Sequence, residues 1–316
     1  MKGIILAAGK GTRLYPASCS TSKILLPIYD KPAIYYPLSI LISVGIKDIM
    51  IITSKNDRAS FKKLLGDGSQ FGVSFRYAVQ KVQRGIADAL IIAEKFIKDD
   101  SVMLALGDNI FAGSEMQDLL AEAVGTGGAT VFCTPVPNPQ DFGVAEIDKD
   151  GKVLSLEEKP QEPLSNLAVT GLYYYDSKAA AIAKEVQPSK RGELEITDVN
   201  RIYMERGLLH AVQMPDSIYW ADTGTPDSML AAAEKIRELQ ESGELVGSPE
   251  STALRMGLIS NKQLLSWIDQ AGSSSSAYFT RLRNLARERI RGFLAQGYHG
   301  PQRSHRSHRT RQSNND

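Results

Sequence analysis

Residue types suited to handling phosphate are concentrated at the start of this 316-residue chain. Gly3 to Pro16 reads GIILAAGKGTRLYP, with Lys23 a short way beyond. Ile4, Ile5 and Leu6 form an apolar run of the kind found in buried parallel strands, and it breaks into small residues with no bulky side chain until Arg13. Two common phosphate signatures fail here: a dinucleotide fingerprint needs a glycine where Leu14 stands, and a Walker A loop needs Gly-Lys-Ser/Thr where the order is Gly9-Lys10-Gly11-Thr12. What remains is a loop whose backbone N–H groups can face an anion, followed by the fixed cations Arg13 and Lys23. The same residues standing alone would equally make a tight strand-to-loop turn with surface cations.

The elements around that loop decide where further chemistry can sit. Helical spacing from Ala33 to Val44 precedes a β-branched run from Ile46 to Thr53. Asp57 to Leu65 then reads as helix, Val73 to Val79 as strand, Ile86 to Phe96 as helix and Val102 to Leu106 as a buried strand. Such alternation predicts right-handed βαβ units, hence an α/β, Rossmann-like, mainly parallel sheet flanked by helices. Ligands in these sheets sit at the carboxyl ends of the strands. Asp108 is delivered there, where a carboxylate can hold Mg²⁺ against phosphate or simply begin the next turn. From Thr130 strands follow with less helix between them: Thr130 to Pro135, Val144 to Ile147, Val153 to Glu157 and Leu167 to Tyr175. Asp148 to Gly151 predicts a hairpin turn. Helices return at Lys178 to Glu185 and Glu195 to Glu205. Thr225 followed by Pro226 is an N-cap and first-turn pair opening the helix that continues over Ser228 to Leu239, and Asp222 lies just before it. Pro249 to Met256 and Asn261 to Asp269 are further helices beside it.

Several stretches in order resemble the sugar-phosphate nucleotidyltransferases, and within them the branch that moves thymidylyl groups. They are LAAGKGTRLYP with SKILLPIYDKPAIYYPL, LLGDGSQFG, LGDNIF, SLEEKP, AVTGLYYYD, RGELEITDVNRIY and DTGT, covering about residues 1 to 260. The resemblance implies a nucleotidyltransferase (glycosyltransferase-A-like) fold with a small sugar-binding β region and a C-terminal helical segment. The implied reaction joins dTTP to glucose 1-phosphate, giving dTDP-glucose and pyrophosphate. It assigns catalysis to Arg13, Lys23 and Lys159, and Mg²⁺ to Asp108 and Asp222. Nucleotide contacts fall on Leu6, Ala8, Gly11, Thr12, Arg13, Lys23, Gln80 and Gly85. The sugar phosphate falls to Asn109, Gly143, Glu158, Lys159, Val169, Arg191 and Trp220. It further implies a homotetramer inhibited by a downstream dTDP-sugar, serving deoxysugar or polysaccharide synthesis. Two departures lie near the nucleobase side: Ile24 stands where the thymidylyl enzymes carry Gln, and Lys81-Val82-Gln83-Arg84 replaces a Pro-Ser-Pro-Asp run. Uridylyl transfer or another sugar 1-phosphate is the neighbouring alternative. A non-catalytic regulatory subunit of the same fold is another, disfavoured because Arg13, Lys23, Asp108, Lys159 and Asp222 are all kept.

Composition excludes some classes. With 42% hydrophobic and 23% charged residues the chain reads as an ordinary soluble globular protein. No apolar run approaches the roughly 20 residues of a membrane span, and no signal-peptide pattern opens the chain, so no membrane association and a cytoplasmic location are expected. Cys19 and Cys133 lie far apart with no metal-ligand spacing, as two reduced thiols would. The net charge of +1 hides an asymmetry: residues 273 to 316 hold nine Arg and no Lys against Glu288 and Asp316, or +7, leaving −6 for the other 272 residues. The expected organisation is a catalytic domain over 1–240, with the sugar-binding region about 130–225 inside it, a helical segment over 241–272 and a basic, flexible tail over 273–316. In that tail Phe279, Leu282, Leu285, Ile290 and Phe293 fall on one helical face. Binding of nucleic acid, a partner or a membrane surface through the tail is the remaining alternative.

Overall fold

The computed structural model describes residues 1–149, 151–271 and 276–296, with side chains through 288. Asp150, the linker of Gly272 and the serines 273–275, and the segment after 296 lie outside the described residues.

The strands in chain order are β1 (Lys2–Ala7), β2 (Pro27–Ile28), β3 (Lys31–Pro32), β4 (Asp48–Thr53), β5 (Ser74–Val79), β6 (Val102–Leu106) and β7 (Asn109–Ala112). They continue as β8 (Ala129–Pro135), β9 (Gly143–Ile147), β10 (Val153–Glu158), β11 (Leu167–Tyr175), β12 (Leu209–Gln213) and β13 (Tyr219–Asp222). Nine of them make one sheet in the order β10-β9-β11-β6-β1-β4-β5, with β8 on the other side of β11 and β12 beside β8. β4, β1, β6 and β5 pair in parallel, as do β12 and β8. β11 is antiparallel to β6, β8 and β9, and β10 is antiparallel to β9. Seven of the nine strands therefore run one way and only β10 and β11 run back, the mostly parallel sheet that the sequence predicts.

Both faces of the sheet are covered, which explains the uninterrupted apolar runs. Successive side chains alternate faces: Ile5, Ile49, Ile51, Met103 and Ala105 enter one core, while Ile4, Met50, Ile52, Val102 and Leu104 enter the other. The first core is closed by α1 (Tyr35–Ser43), α2 (Arg58–Leu65) and the later helices α5 (Met116–Ala123), α9 (Pro249–Arg255), α10 (Asn261–Gln270) and α11 (Ala277–Gln296). The second lies under α3 (Asp88–Ile92), α4 (Glu94–Ile97), α6 (Ala179–Ala183) and α7 (Ile196–Glu205). The helix expected over Ile86 to Phe96 breaks at Ala93 into α3 and α4. α8 (Pro226–Leu239) starts as predicted: Thr225 accepts from the Ser228 N–H, Ser228 Oγ accepts from the Thr225 N–H in return, and Pro226 is the first helical residue. Gly151 closes the β9–β10 turn with φ of 78°.

The tail departs from the flexible segment expected from residue 273. α11 runs from Ala277 and buries Tyr278, Leu282 and Ala286 against α9 and α10, with Phe279 and Leu285 beside them. A stripe repeating every four residues holds a basic helix to the body despite its arginines. Among the described residues no helix is long and apolar enough to cross a membrane, and Cys19 and Cys133 are unpaired, exposed and buried respectively.

Candidate active site

The cleft opens where the edge of β11 changes partner. Its carboxyl half, Leu172 to Tyr175, pairs with β6, while Ala168 pairs with β9. Between them β11 is free on that edge, and there Gly171 donates its N–H to Asn109 Oδ1 at 2.9 Å. A Cβ on Gly171 would stand 2.6 Å from Asn109 Cγ, so the close approach requires glycine. Asn109 Oδ1 also accepts from Trp220 Nε1 at 2.8 Å, and Phe142 meets the Trp220 ring edge-on at 5.4 Å.

A second, two-stranded sheet brings the acidic residues together. β7 and β13 pair antiparallel with Asp222 opposite Asn109, so Asp108 and Asp222 become near neighbours across 114 positions of sequence. Thr223 fixes the junction by donating its N–H and its hydroxyl to the Asp108 carbonyl at 3.0 and 2.9 Å. Lys23 Nζ is paired to Asp108 Oδ2. Burial pushes the Asp108 carboxyl up, but the Lys23 ammonium against it prevails and holds it below the ordinary carboxylate value. Asp222 shifts the other way, to about 6: burial and then the Asp108 charge raise it, against Lys23, Arg13 and Lys159. Two neighbouring carboxylates, one of which raises the proton affinity of the other amid buried walls, are a donor set suited to a hard divalent cation.

The first loop closes over the same place. Lys23 overlies it: a Cβ on Gly9 would lie 3.2 Å from Lys23 Cε and one on Gly11 3.0 Å from its Cβ. Gly11 has φ of 64°, and the N–H groups of Gly9, Lys10 and Gly11 have no protein acceptor among the described residues. Arg13 reaches across to Gly224, where a Cβ would collide with Nη2 at 2.5 Å. That contact accounts for the glycine of the DTGT stretch.

A cleft of about 210 Å³ thus collects Arg13, Asp108, Asn109, Gly143, Glu158, Lys159, Val169, Arg191, Trp220 and Asp222. Lys159 sits there with φ of 48°, an uncommon conformation for a side chain of this size, held by its N–H donating to Phe142 O at 2.9 Å. Glu158 is fixed from both sides: Thr197 donates to Oε2 at 2.6 Å and Arg191 to Oε1 at 3.1 Å. Arg191 also pairs with Glu195 at 2.8 Å and Glu193 at 3.7 Å.

The remaining nucleotide candidates flank this cleft. Leu6 accepts from the Gly107 N–H at 3.0 Å. Ala8 is buried, and its carbonyl accepts from Gln83 Nε2, which ties the first loop to the loop after β5. Thr12 opens the short 3-10 turn that carries Arg13. Gln80 donates to Gly85 O and to Asp88 Oδ2 at 3.1 and 3.0 Å, and Gly85, with φ of 101°, packs its α-carbon on Leu194. Ile24 is buried to 1% exposure with its side chain over Gly107, so any influence on a nucleobase passes through packing. Thr197, Glu195, Gly171 and Phe142 also line the cleft, although sequence reasoning gave them no role. Gly171 carried a legible signal, a glycine inside a strand; the others acquire their places only through long-range pairing.

A mostly parallel sheet with cations and a carboxylate pair gathered at the carboxyl ends of its strands defines an enzyme for phosphate-rich ligands. The chain belongs to the nucleotidyl transferase family, whose family model matches residues 2–239. It is 52% identical to the glucose-1-phosphate thymidylyltransferase of Neisseria meningitidis over 266 residues, 84% of this chain and 92% of that protein. With the enzyme of the same name from Mycolicibacterium smegmatis it shares 49% over 265 residues, again 84% and 92%. Among solved structures, a Bacillus anthracis protein assigned to that activity and crystallised with sucrose has a TM-score of 0.70 at 45% identity, covering 75% of this chain and 96% of that one. UDP-glucose pyrophosphorylase bound to UDP-glucose, at 24% identity and a TM-score of 0.68 over 75% of this chain and 98% of that one, shares the fold. Nucleotidyltransferases of this kind use a divalent metal.

Proposed function

We propose that this enzyme transfers a thymidylyl group from dTTP to α-D-glucose 1-phosphate, releasing pyrophosphate and dTDP-glucose, with Mg²⁺ as the divalent ion. The observation that carries the reading is a cleft in which Arg13, Lys159, Asp108 and Asp222 face one another beside a pocket built on Asn109 and Trp220.

The obstacle to the reaction is charge. An oxygen of the sugar phosphate attacks the α-phosphorus, and the bond from that phosphorus to the β-phosphate bridge breaks. The attacking oxygen is already anionic at neutral pH, so no general base is needed, and positioning with electrostatic stabilisation carries the rate. Arg13, Lys23 and the open N–H groups of the first loop receive the triphosphate and the departing pyrophosphate. Lys159 steers the phosphate of the nucleophile, while Glu158, held by Thr197 and Arg191, and Asn109 with Trp220 orient the sugar. Among the described residues no group of three or more His, Cys, Asp or Glu is placed to hold a metal ion. Asp108 and Asp222 are therefore the two carboxylates that would hold Mg²⁺. Bound there, the ion supplies positive charge where the transferring phosphoryl group gathers negative charge. The proposal extends to a cytoplasmic homotetramer inhibited by a downstream dTDP-sugar and serving deoxysugar or polysaccharide synthesis, as the same resemblance implies.

A panel of dTTP, UTP and the other nucleoside triphosphates against several sugar 1-phosphates, read as pyrophosphate release, tests this. The expected best pair is dTTP with glucose 1-phosphate. Preference for UTP would move the assignment to uridylyl transfer, and no release with any pair would overturn it.

A further inference from the structure

The transfer chemistry uses none of the buried polar groups that join α11 to the body, yet they converge on one place. The Tyr278 hydroxyl donates to Glu250 in the first turn of α9 and lies 2.7 Å from Ser248 Oγ, the N-cap of that helix. A turn further along, Arg281 faces Asp30 at 3.6 Å and covers the Tyr29 ring at 5.9 Å. Tyr29 and Asp30 are the tip of the β2–β3 hairpin, with Tyr29 at φ of 62°. Between helix and hairpin lies Lys31, only 3% exposed. Its Nζ is 2.5 Å from Asp30, 3.1 Å from Gln240 Oε1 and 5.7 Å from the Tyr278 ring centre. Gln240 donates back to Asp30 at 2.9 Å. A lysine this deep persists only when its charge is paired and its protons are used.

The hairpin continues directly from the short turn Lys23–Leu25 and folds back on it. The Ala33 N–H donates to Leu26 O, and the Ile34 N–H to Ile24 O, both at 3.0 Å. Whatever fixes the hairpin tip therefore fixes one wall of the turn from which Lys23 reaches Asp108 and lies over Gly9 and Gly11. The sugar end of the cleft rests on β9, β11 and β13; β13 meets the hairpin through the apolar cluster that joins Ile28 and Ala33 to Tyr219 and Ala221, whereas β9 and β11 contribute no residue to that cluster.

We infer that α11 is a brace for the triphosphate end of the active site: Tyr278 and Arg281 hold the Tyr29–Lys31 tip and through it the turn that carries Lys23. Both are positioning residues. The kinetic consequence rests on the proposed nucleotidyl transfer; the structural consequence does not, and the two are measured separately.

Full-length Tyr278→Phe, Arg281→Met and the double variant test the brace, with Arg287→Met as an exposed control on the same helix. Amide hydrogen exchange in peptides spanning residues 22–34 should accelerate on the order of tenfold in the double variant, with residues 167–175 unchanged. In turnover assays the KM for nucleotide should rise on the order of tenfold while that for sugar phosphate stays within about twofold. Arg281→Lys, which restores a cation beside Asp30, should recover most of both effects. Unchanged exchange over 22–34, equal acceleration in both segments, or both KM values rising together would overturn the brace. Were the wild-type chain to release no pyrophosphate, the functional reading would fall and the exchange arm would still decide the inference.

Discussion

Asp222 shows how one side chain sets stability against function. Its carboxyl is raised to about 6 by burial and by Asp108. An acid raised on folding binds more protons in the folded than in the unfolded state between about 4 and about 6, so its contribution to stability is full below that window and lost as pH rises through it. Metal-free protein at pH 7 thus carries a strained charge. Asp222→Asn should melt higher than wild type at pH 7 in EDTA, by an amount on the order of 1 to 2 kcal/mol. It should also lose roughly 10² in kcat, the scale of one strong electrostatic stabiliser. Mg²⁺ should stabilise wild type more at pH 7 than at pH 5 and leave the variant almost unmoved. A variant that melts lower than wild type at pH 7 without divalent ion would contradict the assignment. Asp108 was legible because an apolar strand delivers it to the edge where ligands bind, and Asp222 because a helix cap follows it. Their proximity was legible only through the resemblance that gives both to Mg²⁺; local patterning carries no sign of it, since it depends on β7 pairing with β13 across more than a hundred residues.

At the scale of elements, strands buried on both faces were the easiest to read, β6 and β11 matching their expected bounds and β4 beginning within two residues of its own; the edge strand β5 began within one. β7 and β12 were missed: each is short, and its pairing partner is distant in sequence. The reading of Ile86 to Phe96 as one helix failed at Ala93 because apolar periodicity does not register a break between two short helices. β11 carries the most consequence, because its edge left unpaired by β6 and β9 at Gly171 makes the pocket. Gly171→Ala would place a methyl 2.6 Å from Asn109 Cγ. The amide must rotate away, releasing Trp220, at a cost of about 1 to 3 kcal/mol for overpacking. The expected result is a raised KM for sugar phosphate with nucleotide KM unchanged, accompanied by altered tryptophan fluorescence. Unchanged kinetics and fluorescence would show that the Asn109–Trp220 bond does not shape the sugar end.

For the whole molecule, the division by charge and the division by packing fall at different residues. The basic segment begins after the serine linker, and its arginine density suggests a solvated tail. Three positions four apart, Tyr278, Leu282 and Ala286, instead seat its first part on the core. Removing residues 297–316 takes away four arginines and none of these anchors, so melting temperature and turnover should both stay at the wild-type level. Removing 277–316 exposes the surface under Tyr278 and Leu282, worth about 1.5 to 3 kcal/mol per large side chain, and takes the Tyr278 hydroxyl from Glu250, leaving Ser248 as its hydroxyl donor. That truncation should melt on the order of 10 °C lower. If an anionic partner such as nucleic acid or lipid binds this chain through its basic end, the shorter deletion should abolish the binding, measured by sedimentation or vesicle capture, while pyrophosphate release continues. Loss of turnover on the shorter deletion would instead make residues 297–316 part of the enzyme and overturn the separation of catalytic body from basic end.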